Sequence, residues 1–538
     1  MTGFEPSGPE QRGVIETEAP LTVVLGGAGT GKTTCALVAA RAHLERPATR
    51  PNDRALFLSF SRASVSRIAD RGQGILGPTS ERVEVSTFHA LAFGIVRRFG
   101  SLVGHRRVTL TSPAEHRINP DSAALGYGDL IPLAIQIMDA APAVRKHLQS
   151  RWGLVVVDEF QDIGDMQEAL LSRIAKNSRV ILLGDPNQCI YTFLKSDGVR
   201  LERIREACDR AGEDDTIELP ETSHRDPTGI IPAMASAIMR REFDSEAITI
   251  ALDTERLVIC SGIDESDEAE AVARWVRGLH GDGSSVAVFS HHNDMLAALS
   301  DGLTQEGIEH EIAGLSDALA AALVAQGEML RFSVGLAAWD DVLNALAVFV
   351  ASAVRGNRTP DLAQHLLNGR GAVTLRTRVE ALRAGLADSD LDGALRLSAE
   401  ANDAIGLPSK SSAWAQAAAF LRPMRARALR LLDRGASEQA AVRLMSTAAR
   451  EATYGVLTEV AEDRHEVQLM NLYQTKGREA DSTVVVLRSG DFFGYEQEPF
   501  TTTSRLLYVV FSRARKKIVV LLVGSGLPPA VAPLGHLA

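Results

Sequence analysis

Gly26-Gly27-Ala28-Gly29-Thr30-Gly31-Lys32-Thr33, followed by Thr34, is the stretch on which the reading of the fold turns. Gly26, Gly31, Lys32 and Thr33 hold the fixed places of the pattern G-x-x-x-x-G-K-[ST]. The apolar run Leu21 to Leu25 before it predicts a buried strand. Thr33 to Leu44 after it carries Ala, Leu and Val at helical spacing. Strand, glycine loop and helix in that order is the context in which the pattern means a phosphate cradle, rather than a chance glycine turn. Glycines let the backbone curl until several N–H groups point inward, and the helix N-terminus adds its positive dipole end. Lys32 is expected on the β- and γ-phosphates, and the Thr33 hydroxyl on Mg²⁺. The stretch predicts binding of a nucleoside triphosphate.

At 538 residues the chain exceeds what one core organises, so several domains are expected. Met1 to Glu18 is polar and has no apolar core for a secretory signal, and no apolar run reaches the length of a membrane span. Cys35, Cys189, Cys208 and Cys260 show no C-x-x-C spacing and read as reduced thiols, which points to the cytoplasm. A net charge of −11 gives no long-range attraction to nucleic acid, although phosphate contacts need only a local basic track. His105-Arg106-Arg107, the arginines of Arg422 to Arg434, and Arg513, Arg515, Lys516 and Lys517 are such clusters. Each reads first as a solvated face.

Further strands follow in order. Ala55 to Phe60 ends in Ser59, Phe60, Ser61 and Arg62; Val83 to Ser86 ends in Thr87, Phe88 and His89. In open α/β sheets ligands bind outside the carboxyl ends of the strands, so these hydroxyl, aromatic and basic side chains are candidates to grip a nucleic-acid backbone and stack a base. Leu154 to Val157 runs into Asp158 and Glu159. One carboxylate is suited to Mg²⁺ and its neighbour to orienting or deprotonating the attacking water. Arg179 to Leu183 leads to Gln188, expected to sense the γ-phosphate, and then to Tyr191 and Phe193, candidates to hold bases. Gln11 offers an amide that can read adenine.

Together with Leu219-Pro-Glu-Thr-Ser-His224-Arg225, Tyr473-Gln-Thr-Lys476-Gly477-Arg-Glu479 and Arg505 to Arg515, these motifs resemble, in order, the UvrD/Rep/PcrA-type superfamily-one DNA helicases. The resemblance runs in register over about residues 6 to 315 and 460 to 525. It implies an α/β fold of two RecA-like P-loop domains with parallel sheets, a small first insertion and a larger helical second one. The expected boundaries are 1–90 and 150–215 for the first domain, 91–149 for the short insertion, 216–315 and 464–538 for the second domain, and 316–463 for the helical insertion. ATP and Mg²⁺ are the implied cofactors, with Gly477, Glu479 and His224 near the nucleotide and Arg225 and Arg513 as fingers on the γ-phosphate. Two such arginines make sense on one triphosphate, because charge spreads over the phosphoryl oxygens in the transition state.

The implied activity is ATP-driven 3′–5′ movement on single-stranded DNA and separation of tailed duplex DNA, in repair, recombination or phage defence. The alternative is an ATPase subunit without robust unwinding whose nucleotide state regulates a partner nuclease; a nuclease or other protein partner is expected, and no membrane. The sequence also departs from the family's pattern. His224 stands where a tyrosine is usual, Phe193 where a tryptophan is frequent, Leu194 where an arginine is usual and Tyr473 where a histidine is. These departures bear on base selectivity and on the grip on DNA.

In the second insertion, Thr359-Pro360-Asp361 predicts a helix start with Thr359 as its cap, and Gly435 predicts a helix end.

Overall fold

The computed structural model describes residues 6–538 except 48, 51, 107, 109, 120–123, 190–196, 214, 282, 292, 313–315, 353–358, 408–410 and 459–465. The strands in chain order begin with β1 (Leu21–Leu25), β2 (Arg54–Ser59) and β3 (Val83–Thr87). Two short strands follow, β4 (Leu110–Thr111) and β5 (Leu125–Gly126), then β6 (Trp152–Asp158), β7 (Arg179–Gly184) and β8 (Thr216–Glu218). The first sheet has the order β3-β2-β6-β7-β1-β8 and is parallel throughout. Leu154 to Val157 are 0% exposed, as a strand covered by helices on both faces requires, which is why these strands read as continuous apolar runs. Parallel strands end together on one edge, so the P-loop, Ser59, Thr87, Asp158 and Asp185 all leave the sheet on the same side.

The second sheet contains β9 (Leu257–Ile263), β10 (Val286–Ser290), β11 (Glu311–Ile312), β12 (Val467–Asn471), β13 (Ala480–Arg488) and β14 (Ala514–Val523). Its order is β11-β12-β10-β13-β14-β9, again all parallel. The expected α/β architecture of two parallel sheets is thus present. One expected boundary shifts. Residue 216 was to open the second domain, but β8 pairs with β1 through Val23↔Thr216 and Leu25↔Glu218. The N–H of Val23 also donates to Asp215 O at 2.9 Å. Backbone pairing fixes β8 as the edge of the first sheet, and the chain crosses to the second sheet after it.

Contact density divides the chain into two compact units. One holds both sheets, residues 1–104, 131–313 and 462–538; the other is helical, residues 105–130 and 314–461. The short insertion, expected at 91–149, therefore narrows: helix Phe88–Phe99 and helix Pro142–Gln149 lie in the unit with the sheets. Its remainder shares a core with the second insertion, where Ala114 and Ile118 pack among residues of 318 to 449. Trp414 and Phe349 meet edge to face at 4.8 Å in that core, and the Trp414 indole donates to Ser398 O at 3.0 Å. Pro360, not Thr359, is the cap of helix Asp361–Asn368, one residue from the expected place. Gly435 lies beyond the end of helix Ser411–Asp433 at φ 83°. Among the described residues no helix is long and apolar enough to cross a membrane.

Candidate nucleotide site

The loop leaving β1 curls through two left-handed positions, Gly29 at φ 83° and Gly31 at φ 92°. A side chain is costly at either place, and a Cβ on Gly29 would also strike Ser223. Helix Lys32–Glu45 then starts directly from Gly31. The Lys32 ammonium lies over the loop, donating to Gly26 O at 2.5 Å and Gly27 O at 2.9 Å. Thr33, 8% exposed, lines the same cavity, which has a volume of about 460 Å³.

β6 delivers the acid pair. Glu159 follows the strand at φ 55°, a left-handed conformation that costs a non-glycine residue on the order of 1–3 kcal/mol. Both Asp158 and Glu159 line the cavity. Burial and the neighbouring Glu159 carboxylate push Asp158 up to about 6, against the opposing pull of Arg67 and Lys32. Burial acts the same way on Glu159, but Lys476, Lys32, Arg67 and Arg513 outweigh it and hold this carboxyl at about 2. Asp158 Oδ2 is buried without a hydrogen-bond donor among the described residues. That oxygen and the Thr33 hydroxyl fit a Mg²⁺ ion, directly or through water. Among the described residues no group of three His, Cys, Asp or Glu side chains could hold a metal, so such an ion would complete its shell with water or phosphate oxygens.

The second sheet supplies the opposite wall. Arg513, 2% exposed, donates to Gln188 Oε1 at 3.2 Å and to Val509 O at 2.8 Å. Gln188 in turn donates to Asp185 Oδ2 at 2.6 Å. Lys476, in the turn between β12 and β13, donates to Gln188 O at 2.8 Å, pairs with Asp162, and lies 3.7 Å from Glu159 Oε2. Arg225 donates to Ser512 O and to Glu479 Oε1, the latter at 2.6 Å. Glu479 also faces Arg67 at 3.4 Å, Arg71 at 3.3 Å and Arg515 at 3.2 Å. Burial would raise its carboxyl; this arginine ring, Arg225 foremost, drives it far below the carboxylate range. The Tyr508 hydroxyl accepts from Ala28 N at 3.3 Å, tying the second sheet to the P-loop itself.

Gln11 and His224 meet at the other end of the loop. Their Nε2 atoms are 3.2 Å apart, Gln11 also donates to Thr30 O at 3.3 Å, and a Cβ on Gly31 would touch both side chains. Ala28, Gly29, Thr30, Gly31, Lys32, Thr33, Thr34, Asp158, Glu159, Gln188, His224, Arg225, Glu479 and Arg513 are all brought to one cavity. Gly477 is not among its walls. At φ 82° it packs instead against Ser61 and Ser64, at the start of helix Arg62–Leu76.

A family model described as an AAA domain matches residues 11–194, which include the P-loop, the acid pair and Gln188. The ATP-dependent DNA helicase UvrD1 of Mycobacterium leprae is 24% identical over 390 residues, 57% of this chain and 49% of that protein. The ATP-dependent DNA helicase PcrA of Bacillus subtilis is 21% identical over 383 residues, 58% of this chain and 51% of that protein. PcrA of Staphylococcus aureus is 23% identical over 330 residues. The chain is thus similar to DNA helicases of the UvrD and PcrA kind. It spans about half the length of the curated relatives it matches.

The candidate DNA contacts lie at the ends of β2 and β3, and the structure sorts them. Phe60 is half-buried, whereas Ser59 is 0% exposed. Thr87 is spent as a helix cap, accepting from Ala90 N at 3.1 Å. Phe88 is 1% exposed and faces the core, a correction to its expected part in stacking a base. Burial lowers His89 to about 4, so this ring is neutral near pH 7 and offers no charge to a phosphate. Tyr191 and Phe193 lie outside the described residues, as does the side chain of Arg62.

Arg67, Arg71 and Tyr508 belong to or brace the site although the sequence does not single them out, and Arg515 and Lys476, named above only in a basic cluster and a motif, join them. For Arg67 and Arg71 the available signal is their i, i+4 spacing on the helix that follows β2.

Proposed function

We propose that the chain is an ATP-driven motor on single-stranded DNA that separates duplex strands, moving 3′ to 5′. The observation that carries this is the cavity whose walls come from both sheets: Lys32, Asp158, Glu159 and Gln188 from the first, Glu479 and Arg513 from the second. A triphosphate held there touches both, so each cycle of binding and release acts on the relation between the two sheets. The relatives' names, ATP-dependent DNA helicases, support the same reading.

The charge of the cavity supports a polyphosphate ligand. Among the described residues that line it, the cations Lys32, Arg67, Arg71, Arg225, Arg513 and Arg515 outnumber the carboxylates Asp158, Glu159 and Glu479. In the proposed reaction Lys32 leaves the loop carbonyls for the β- and γ-phosphates. Mg²⁺, held by Thr33 and Asp158, would neutralise phosphate charge. Against its burial, Lys476, Lys32, Arg67 and Arg513 hold Glu159 in the ionised form, which suits it to orient the attacking water. Water oxygen bonds to the γ-phosphorus as the bridging P–O bond breaks, and the water proton ends on the released phosphate. Arg225 and Arg513 stabilise the charge on the transferring oxygens, and Gln188 reports their presence to Asp185.

The test is ATP hydrolysis with and without single-stranded DNA by the wild-type chain and by Lys32→Ala. Hydrolysis that DNA stimulates and the variant lacks, with DNA binding retained, is the expected outcome. Hydrolysis at the wild-type rate in the variant would remove the P-loop from the site.

A further inference from the structure

We propose that Arg67 is a further catalytic residue: a guanidinium carried by the first sheet's own lobe that moves from Glu479 onto the phosphate oxygens of the bound nucleotide. This rests on reading the cavity as the ATP site.

Arg67 stands on helix Arg62–Leu76, whose first turn is capped by Ser61 immediately after β2. Its side chain lines the nucleotide cavity and is 19% exposed. The contacts it makes there are poor for so enclosed a group. Nη1 reaches Glu479 Oε1 at 3.4 Å, and Nη2 lies 3.9 Å from Asp158 Oδ2, beyond hydrogen-bond distance. Nε is buried with no acceptor among the described residues. A guanidinium has five N–H donors in a rigid fork, and buried donors are normally satisfied. A purely structural arginine in this place should show better bonds.

Glu479 does not explain it either. Arg225 already holds that carboxylate at 2.6 Å, and Arg71 and Arg515 surround it as well. A fourth cation on one anion adds repulsion from its neighbours, which only a further anion relieves. Arg67 reaches toward both Asp158, the metal-ligand candidate, and Glu479. Phosphate oxygens entering between those carboxylates would give the fork the two parallel bonds it lacks. The helix that carries Arg67 also begins next to Phe60, a half-buried candidate for stacking a base. A contact from Arg67 to phosphate would therefore tie that strand end to the nucleotide.

The test uses the full chain and the variants Arg67→Ala and Arg67→Lys. Readouts are kcat and KM for ATP with single-stranded DNA, binding of a fluorescent ADP, and the Mg²⁺ concentration that half-saturates hydrolysis. Loss of one preorganised donor to the transferring phosphate should lower kcat by ~100-fold or more in Arg67→Ala. Arg67→Lys should recover part of it, as a point charge without the fork. ADP binding should change little, since ADP lacks the γ-phosphate. Half-saturating Mg²⁺ should fall, because a cation beside Asp158 is gone.

A kcat within about threefold of wild type in both variants would overturn the role of Arg67 while leaving the ATP site standing, since loss of one such donor costs far more. Equal loss of ADP and ATP binding with kcat intact would also overturn it, marking a structural group. Should Arg67→Ala fail to fold, Arg67→Lys decides by the same readouts. A wild-type chain that hydrolyses no ATP would instead refute the reading of the cavity.

Discussion

Arg513, from the second sheet's side, donates to the Oε1 of Gln188, from the first, across 3.2 Å. Both residues are buried, at 2% and 3% exposure, so this bond is part of the wall between the sheets. Burial and the nearby Arg225 lower Arg513 to about 9, still well above neutrality, so the guanidinium stays charged in use. A γ-phosphate entering this place would meet a sensor and a finger already joined.

Replacing Arg513 with Ala should therefore lower kcat for ATP by on the order of 10³-fold or more, with nucleotide binding largely kept. Gln188→Ala should cost less on its own. The double variant should fall short of the product of the two, because the residues act as one unit. Steady-state kinetics on the three variants checks this. Fully multiplicative losses would mean that the bond between them has no functional weight.

Lys476 makes a prediction about stability as well as rate. It is 5% exposed and pairs with the Asp162 side chain, itself 0% exposed. Lys476→Ala leaves that carboxylate buried without its cation, which costs roughly 3–5 kcal/mol. A lowered thermal unfolding midpoint should accompany a loss of ATPase activity, since Glu159 also loses its largest charge partner. Lys476→Ala with an unchanged midpoint would contradict the pairing.

Asp158, proposed above to hold Mg²⁺, should set the acid limb of any Mg²⁺ dependence. Its raised value means the fold favours the protonated form. The stability this group contributes is present below the ordinary carboxylate range and lost as pH rises through about 6. Mg²⁺ needs the ionised form, so protons compete with it below about 6. Glu159, at about 2, stays ionised throughout. Corrected for the nucleotide's own protonation, half-saturating Mg²⁺ should rise by roughly tenfold between pH 7 and pH 5. A flat profile would place the metal elsewhere.

Phe60 and Phe88 should behave oppositely. Phe60→Ala should weaken single-stranded DNA binding by ~1–3 kcal/mol, the worth of one stacked base, and leave basal ATPase intact. Phe88→Ala should instead cost about 3–5 kcal/mol of stability, as a large core side chain removed. Fluorescence titration with an oligonucleotide, beside thermal unfolding, separates the two. A DNA-binding loss in Phe88→Leu with unchanged stability would reverse the assignment.

The contrast between those phenylalanines shows where the sequence stops being legible. The run from Leu21 through Thr33 announces strand, loop and helix because each step is local, and the structure places β1 at Leu21–Leu25 and the helix at Lys32–Glu45. Asp158, Glu159 and Gln188 stand out because each follows an apolar strand, whereas Arg225 and Arg513 are picked out only by the family resemblance; the structure brings all five to one cavity. Phe88 was not, since an aromatic after a strand looks the same whether it faces solvent or core. Arg67 and Arg71 resemble a solvated helix face until Asp158 and Glu479 are seen beside them. β8 is three residues long, too short to show which sheet it joins. The shared core of residues 105–130 and 314–461 depends on contacts more than two hundred residues apart, such as Arg117 donating to Ala351 O at 2.5 Å, which no periodicity records.

On the proposed reading, one nucleotide between two sheets drives movement along a DNA strand. Strand displacement by the full chain, from matched duplexes with a 3′ or a 5′ single-stranded tail, tests it most directly. ATP-dependent displacement is expected from the 3′-tailed duplex, little from the 5′-tailed one, and none with Lys32→Ala. Equal displacement from both tails, or displacement that persists in Lys32→Ala, would contradict it.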